Sequence, residues 1–186
     1  SGGTSLQSLV SAGALANVRA FAGQDYTGYH TFMALIPALH MASELPQQRQ
    51  PLPVLKVLYR NSGRIQQQGA QHRDALPPIA KAKQIAPGDA PISDAVRAVD
   101  WHAAESQFAA LAQGPIGEAF NHLQYAVQDE VDVHRVVLSW RAWDMLDVAG
   151  EEYAHALLRQ SVRYCLDVEQ RMRERRYALS PIRTLL

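Results

Sequence analysis

Apolar residues recur along this chain at helical spacing. Between Ser5 and Ala22, the residues Leu6, Leu9, Val10, Ala16 and Ala20 share one face of a turn of about 3.6 residues, which predicts a first helix. Gly13 lies in the middle of that face. It weakens the helix and lets a neighbouring helix approach closely. Gly23-Gln24-Asp25 interrupts the pattern, and Tyr26 to Leu45 predicts a second helix kinked at Pro37. Pro46, Pro51 and Pro53 mark a turn, and Leu52 to Gln68 predicts a third helix with Gly63 as its weak point. Residues 69–92 hold Pro77, Pro78, Pro87, Gly88 and Pro91. They predict a long internal loop, the segment expected to be nicked first by a protease.

Beyond that loop, Ser93 is the expected N-cap of a helix running to about Gln113, where Gly114-Pro115 ends it. Glu118 to Gly150 is helical in composition, as one long helix or as two with a joint near Asp129-Glu130. Glu151 to Tyr177 predicts a last helix, and Ser180-Pro181 opens a short tail. Val54 to Tyr59 is a short run readable as helix or strand, and no Asn-Gly or Asp-Gly hairpin turn or fixed-length repeat occurs. The expected fold is all-α, a bundle of about five to seven helices in one domain spanning the chain.

Composition narrows the function classes. With 186 residues the chain can bury a core without disulfide staples. Hydrophobic residues make up 47% and charged residues 19%, which excludes a disordered tail. The 18 Lys and Arg residues balance 18 Asp and Glu, so the charge pattern argues against a nucleic-acid binder. A single cysteine, Cys165, excludes an internal disulfide framework, a multi-cysteine zinc site and a cysteine-ligated iron–sulfur cluster. Between Tyr164 and Leu166 it reads as a small core hydrophobe. The longest apolar stretch, Thr31 to Ala42, is broken by Pro37 and His40 and is too short to span a bilayer. Ser1-Gly2-Gly3-Thr4 has no charged n-region, so no intact signal peptide is expected there.

Candidate chemistry lies in histidine and carboxylate pairs at helical spacing. On the second helix, Phe32, Leu35, Ile36 and Leu39 form an apolar face. His30, Met33, Pro37, His40 and Glu44 form a second face, about 130° round from the first. His40 and Glu44 stand at i,i+4 and reach a common point, and the kink at Pro37 predicts that they face another helix bearing His134 or His155. Similar pairs are His102 with Glu105, Glu130 with His134, and Glu152 with His155, where Glu151 also stands four before the histidine. Facing helices build di-iron and di-manganese centres from such pairs, and imidazole with carboxylate suits iron, manganese or zinc. The expected metal ligands are therefore His30, His40, Glu44, Glu130, His134, Glu152 and His155. Each pair also serves as an ordinary helix-stabilising contact of about 0.2–0.5 kcal/mol.

Two further patterns stand out. Val133, Val136, Val137 and Trp140 form an apolar stripe that continues into Asp144 and Asp147, with Arg135, Arg141, Arg159 and Arg163 as candidate partners. Arg171 to Arg176 is a basic run suited to a solvated helix end or to docking an acidic partner. No P-loop, Gly-x-Ser-x-Gly elbow or dinucleotide fingerprint occurs. The leading expectation is a metal-dependent oxidoreductase, or a fragment of one, using non-haem iron and a small-molecule substrate. The alternatives are a non-catalytic interaction domain that packs against a second copy or the remainder of a longer chain, and a haem protein with one histidine as axial ligand.

Overall fold

The computed structural model describes residues 4–69, 76–86 and 90–185. The described residues are helical and contain no strand. The helices are α1 (Leu6–Phe21), α2 (Tyr26–Ser43), α3 (Pro51–Gln68), α4 (Pro91–Ala98), α5 (Trp101–Leu111), α6 (Ile116–Val127), α7 (Val133–Asp144), α8 (Leu146–Ala149) and α9 (Ala154–Arg175). Short 3-10 turns follow at Glu151–Tyr153 and Pro181–Thr184. None of the described helices is long and apolar enough to cross a membrane.

Two helix groups pack on α9. One is α1, α2 and α3, which all touch one another; the other is α4, α5 and α6. α9 runs between them with Leu157, Leu158, Val162, Cys165 and Leu166 fully buried. Burial of such apolar side chains is the main favourable term, at about 25 cal/mol per Å² removed from water. α7 bridges α2 and α9.

The first group is also tied by amides. Asn17 Nδ2 donates to Gly28 O at 2.8 Å and to Asn61 Oδ1 at 2.6 Å, and Asn61 Nδ2 donates to Gly13 O at 3.0 Å. A Cβ at Gly13 would press on the Leu58 side chain, which would have to shift. The close approach expected at Gly13 is therefore present.

Three sequence expectations change. Ser93 is not an N-cap: it is buried within α4 and donates to Asp129 Oδ2 at 2.9 Å. The helix expected from Ser93 to Gln113 breaks at Val99, which adopts a left-handed φ of 58°. Asp100 restarts it as the N-cap of α5, accepting from Ala103 N at 2.9 Å. The joint expected near Asp129-Glu130 is real, and α7 begins after it, but the apolar stripe on α7 points outward. Val133 is 65% exposed, Val136 54% and Trp140 53%, while Arg135 is 1% exposed. Arg135 is paired inside: Nη2 donates to Glu169 Oε1 at 2.6 Å and Nη1 to Ala126 O at 2.9 Å. Leu138 and Ala142 lie fully buried on the same face as Arg135, so that face turns inward with the arginine's charge paired, and an unpaired charge there would be costly. Asp144 pairs with Arg141 of its own helix at 2.8 Å, and Asp147 is exposed.

Of the long loop expected over 69–92, residues 70–75 and 87–89 lie outside the described residues. Residues 76–86 carry no helix and lie over α5, with Ala82 N–H donating to Ser106 O at 3.0 Å and Ala86 N–H to Gln107 Oε1 at 3.0 Å.

Candidate functional site

α2 and α7 bring two of the expected ligands together. His30 Nε2 and His134 Nε2 are 3.2 Å apart, with ring planes at 72° and centroids 5.0 Å apart. The first-turn register of each helix sets this meeting. Asp25 caps α2 by accepting from Gly28 N at 2.6 Å, and Asp132 caps α7 by accepting from His134 N at 2.8 Å.

The other ring nitrogens fix both tautomers. His30 Nδ1 donates to Tyr26 O at 2.7 Å, because a carbonyl oxygen can only accept. His134 Nδ1 donates to the Asp132 carboxylate at 3.1 Å, and Tyr164 OH donates to the other oxygen of that carboxylate at 3.1 Å. With both protons on Nδ1, the two Nε2 atoms present bare lone pairs to each other. Two lone pairs at 3.2 Å repel unless a proton or a cation lies between them.

Aromatic rings close the surroundings. Tyr29 lies 4.8 Å from His30 and 5.5 Å from His134, centroid to centroid, and Tyr164 lies 5.2 Å from Tyr29. Burial pushes the Tyr164 phenol far above its usual range, and the Asp132 charge pushes the same way. Tyr164 therefore stays protonated and holds Asp132 as a donor. Burial raises the Tyr29 phenol too, with Tyr164 and the charge of Arg171 opposing the rise.

The remaining expected ligands do not join this point. His40 and Glu44 are both exposed, contrary to the expectation that they face another helix. The end of α2 has turned outward there, and Leu35, Ile36, Ala38 and Ala42 take the inward positions. Glu130 lies before α7 rather than on it, so it has no i,i+4 relation to His134; Arg183 Nη2 donates to it at 3.1 Å. Glu152 is exposed in a 3-10 turn with its carboxylate beside Gly150, whose φ of +103° is a conformation that favours glycine. His155 stacks on Phe108 at 5.9 Å, and its buried Nε2 has no hydrogen-bond partner among the described residues. His102 is exposed, while Glu105 is buried on arginines: Arg159 Nε and Arg163 Nη1 each donate to it at 2.5 Å. Among the described residues, no group of three or more His, Cys, Asp or Glu side chains is placed to hold a metal ion.

Sequence reasoning missed Asp132, Tyr26, Tyr29 and Tyr164. Asp132 had a readable signal, an N-cap residue two before a histidine at a helix start. The tyrosines had none, since their role depends on how α2, α7 and α9 pack.

No family model matches this chain, and no curated protein or solved structure is significantly similar to it.

Proposed function

We propose that this protein binds a transition-metal ion between His30 and His134 and uses it in catalysis, with iron-dependent oxidation or reduction as the reaction class. The observation that carries this reading is the convergence of two bare imidazole nitrogens whose tautomers are fixed from behind. A carbonyl and a carboxylate behind ligating histidines are the usual supports of a metal site. At metal–nitrogen distances of about 2.0–2.1 Å, two imidazoles on one ion put their nitrogens about 2.8–3.4 Å apart for angles from square to tetrahedral. Their ring centres then fall about 4.5–5.2 Å apart, against about 5.5 Å for a straight N–H···N bond of the same length. The 5.0 Å found here fits the shared ion.

Two protein ligands leave the remaining coordination positions to water and substrate, one protein ligand fewer than the three usual at catalytic metal sites. Imidazoles beside open positions suit ferrous iron, and Asp132 and Tyr164 next to the pair are groups that handle protons. The test is metal uptake by the purified protein. One equivalent of iron, manganese, zinc or cobalt is expected, and it is lost in both His30→Ala and His134→Ala at unchanged helix content. Wild-type protein that binds none of these ions leaves a proton as the bridge and ends the metal reading.

The exposed stripe of Val131, Val133, Val136 and Trp140 favours a second reading, a helical interaction domain. Concentration-dependent association weakened by Trp140→Ser would support it, and a monomer at every concentration would count against self-association.

A further inference from the structure

Beside His134 a cleft of about 320 Å³ opens between the start of α2 and the last turns of α9, a size at the lower end of ligand cavities. It is lined by Tyr26, Tyr177 and Met172, by the His134 ring, and by Arg171 and Arg175. Tyr26 is 68% exposed and Tyr177 58%, so two aromatic rings are left to solvent at one opening.

Of the arginines in the run from Arg171 to Arg176, two line this cleft. Arg173 is occupied, donating to the carbonyls of Arg97 and Ala98 at the end of α4. Arg171 engages Asp167 through Nε at 3.0 Å, and its two terminal nitrogens have no partner among the described residues. Arg175 lies 6.0 Å over the Tyr177 ring and has no carboxylate partner among the described residues. One helical turn apart, the two guanidinium groups line the same cleft with donor pairs free. Asp132 is the carboxylate lining it, and both of its oxygens already accept hydrogen bonds. The charge of Arg171 reaches inward, where it opposes the rise in pKa of both Tyr29 and Tyr164.

We infer that this cleft takes a small organic anion with an aromatic body. Its carboxylate or phosphate sits on Arg171 and Arg175, its ring lies against Tyr26 and Tyr177, and its far end reaches His134. This rests on the proposal that the His30–His134 pair is the working centre, and it names the class of substrate presented to that pair. Guanidinium forks match carboxylate and phosphate oxygens in pairs, and aromatic faces hold a planar body at little cost in entropy. An exposed basic helix end needs neither the tyrosines nor the cleft, so their presence together points to a ligand.

The test is calorimetric titration of the whole protein with 3-phenylpropionate, phenyl phosphate and the neutral 3-phenylpropionamide. At least one of the two anions is expected to bind about tenfold or more tighter than the amide, and the double change Arg171→Gln with Arg175→Gln should remove that preference. Which anion binds tighter distinguishes a carboxylate substrate from a phosphate ester. Equal binding of anions and amide, no binding of any of them, or a preference untouched by the double change overturns the inference. Metal uptake on the same samples is read separately. Protein that binds an anion but no metal overturns the metal centre alone, and protein that binds metal but no anion overturns the cleft alone.

Discussion

At Asp132 three donors meet on one carboxylate: the His134 amide at 2.8 Å, the His134 ring at 3.1 Å and the Tyr164 hydroxyl at 3.1 Å. The residue both starts α7 and orients the imidazole. Asp132→Asn keeps the size and much of the cap but no longer offers two accepting oxygens. It should weaken metal binding about 10–100-fold, read by titration, while helix content holds. Binding equal to wild type would mean that the His134 tautomer is set by something other than this carboxylate. Cys165 gives a second expectation at this scale. It is fully buried, and burial pushes its thiol up to about 11, partly offset by the Arg135 charge. Thiol reagents should leave it untouched in the native protein and label it on unfolding, because the thiolate is the reactive form.

Among the helices, local signals and tertiary demands can be separated. α1, α2 and α3 follow closely the boundaries predicted for them, because each has a cap or a proline at its start; α2 buries the face the pattern marks, but α1 buries Val10, Ala14, Asn17, Val18 and Phe21 and leaves Ala16 of the expected face exposed. α7 does not bury its valine stripe; it turns Leu138, Ala142 and Arg135 inward, and nothing in the sequence names Glu169 as the arginine's partner. Removing one member of such a pair leaves the other charge stranded. Glu169→Gln should therefore cost about 3–5 kcal/mol in denaturant unfolding. A loss under about 1 kcal/mol, the range of surface pairs, would contradict the orientation given to α7. Val99 is the second departure, a β-branched residue with a φ of 58° where the left-handed region disfavours it. Val99→Gly should stabilise by about 0.5–1 kcal/mol, because it relieves that conformation. A destabilised variant would show that the Val99 side chain contributes more than its strained backbone costs.

For the whole molecule, the all-helical architecture was legible, because strand alternation is missing and helix ends are marked at Gly114 and Gly150. The site was legible only in part. His30 and His134 were both on the expected list, but they stand 104 residues apart, and helical spacing pairs neighbours only. His40, Glu44, Glu130, Glu152 and His155 were equally good at short range and lie elsewhere. His155 instead bears on acid stability. Burial lowers its pKa below the ordinary 6.5, the Arg159 charge adds to this, and Glu105 opposes it. Its neutral form is favoured in the fold, so the contribution is full above about pH 6.5 and is lost as pH falls below that value toward the folded pKa. Thermal melts between pH 7.5 and 5 should fall less steeply for His155→Phe than for wild type, and parallel curves would contradict the shift.

The central claim is that one metal ion sits between His30 and His134. X-ray absorption at the edge of the metal taken up by the purified protein tests it most directly. The account predicts two imidazole nitrogens bound to the metal at about 2.0–2.1 Å, with the remaining positions filled by oxygen donors, and no metal retained in His30→Ala. A metal retained in His30→Ala with its full histidine scattering, or wild-type protein that takes up no metal, would contradict it.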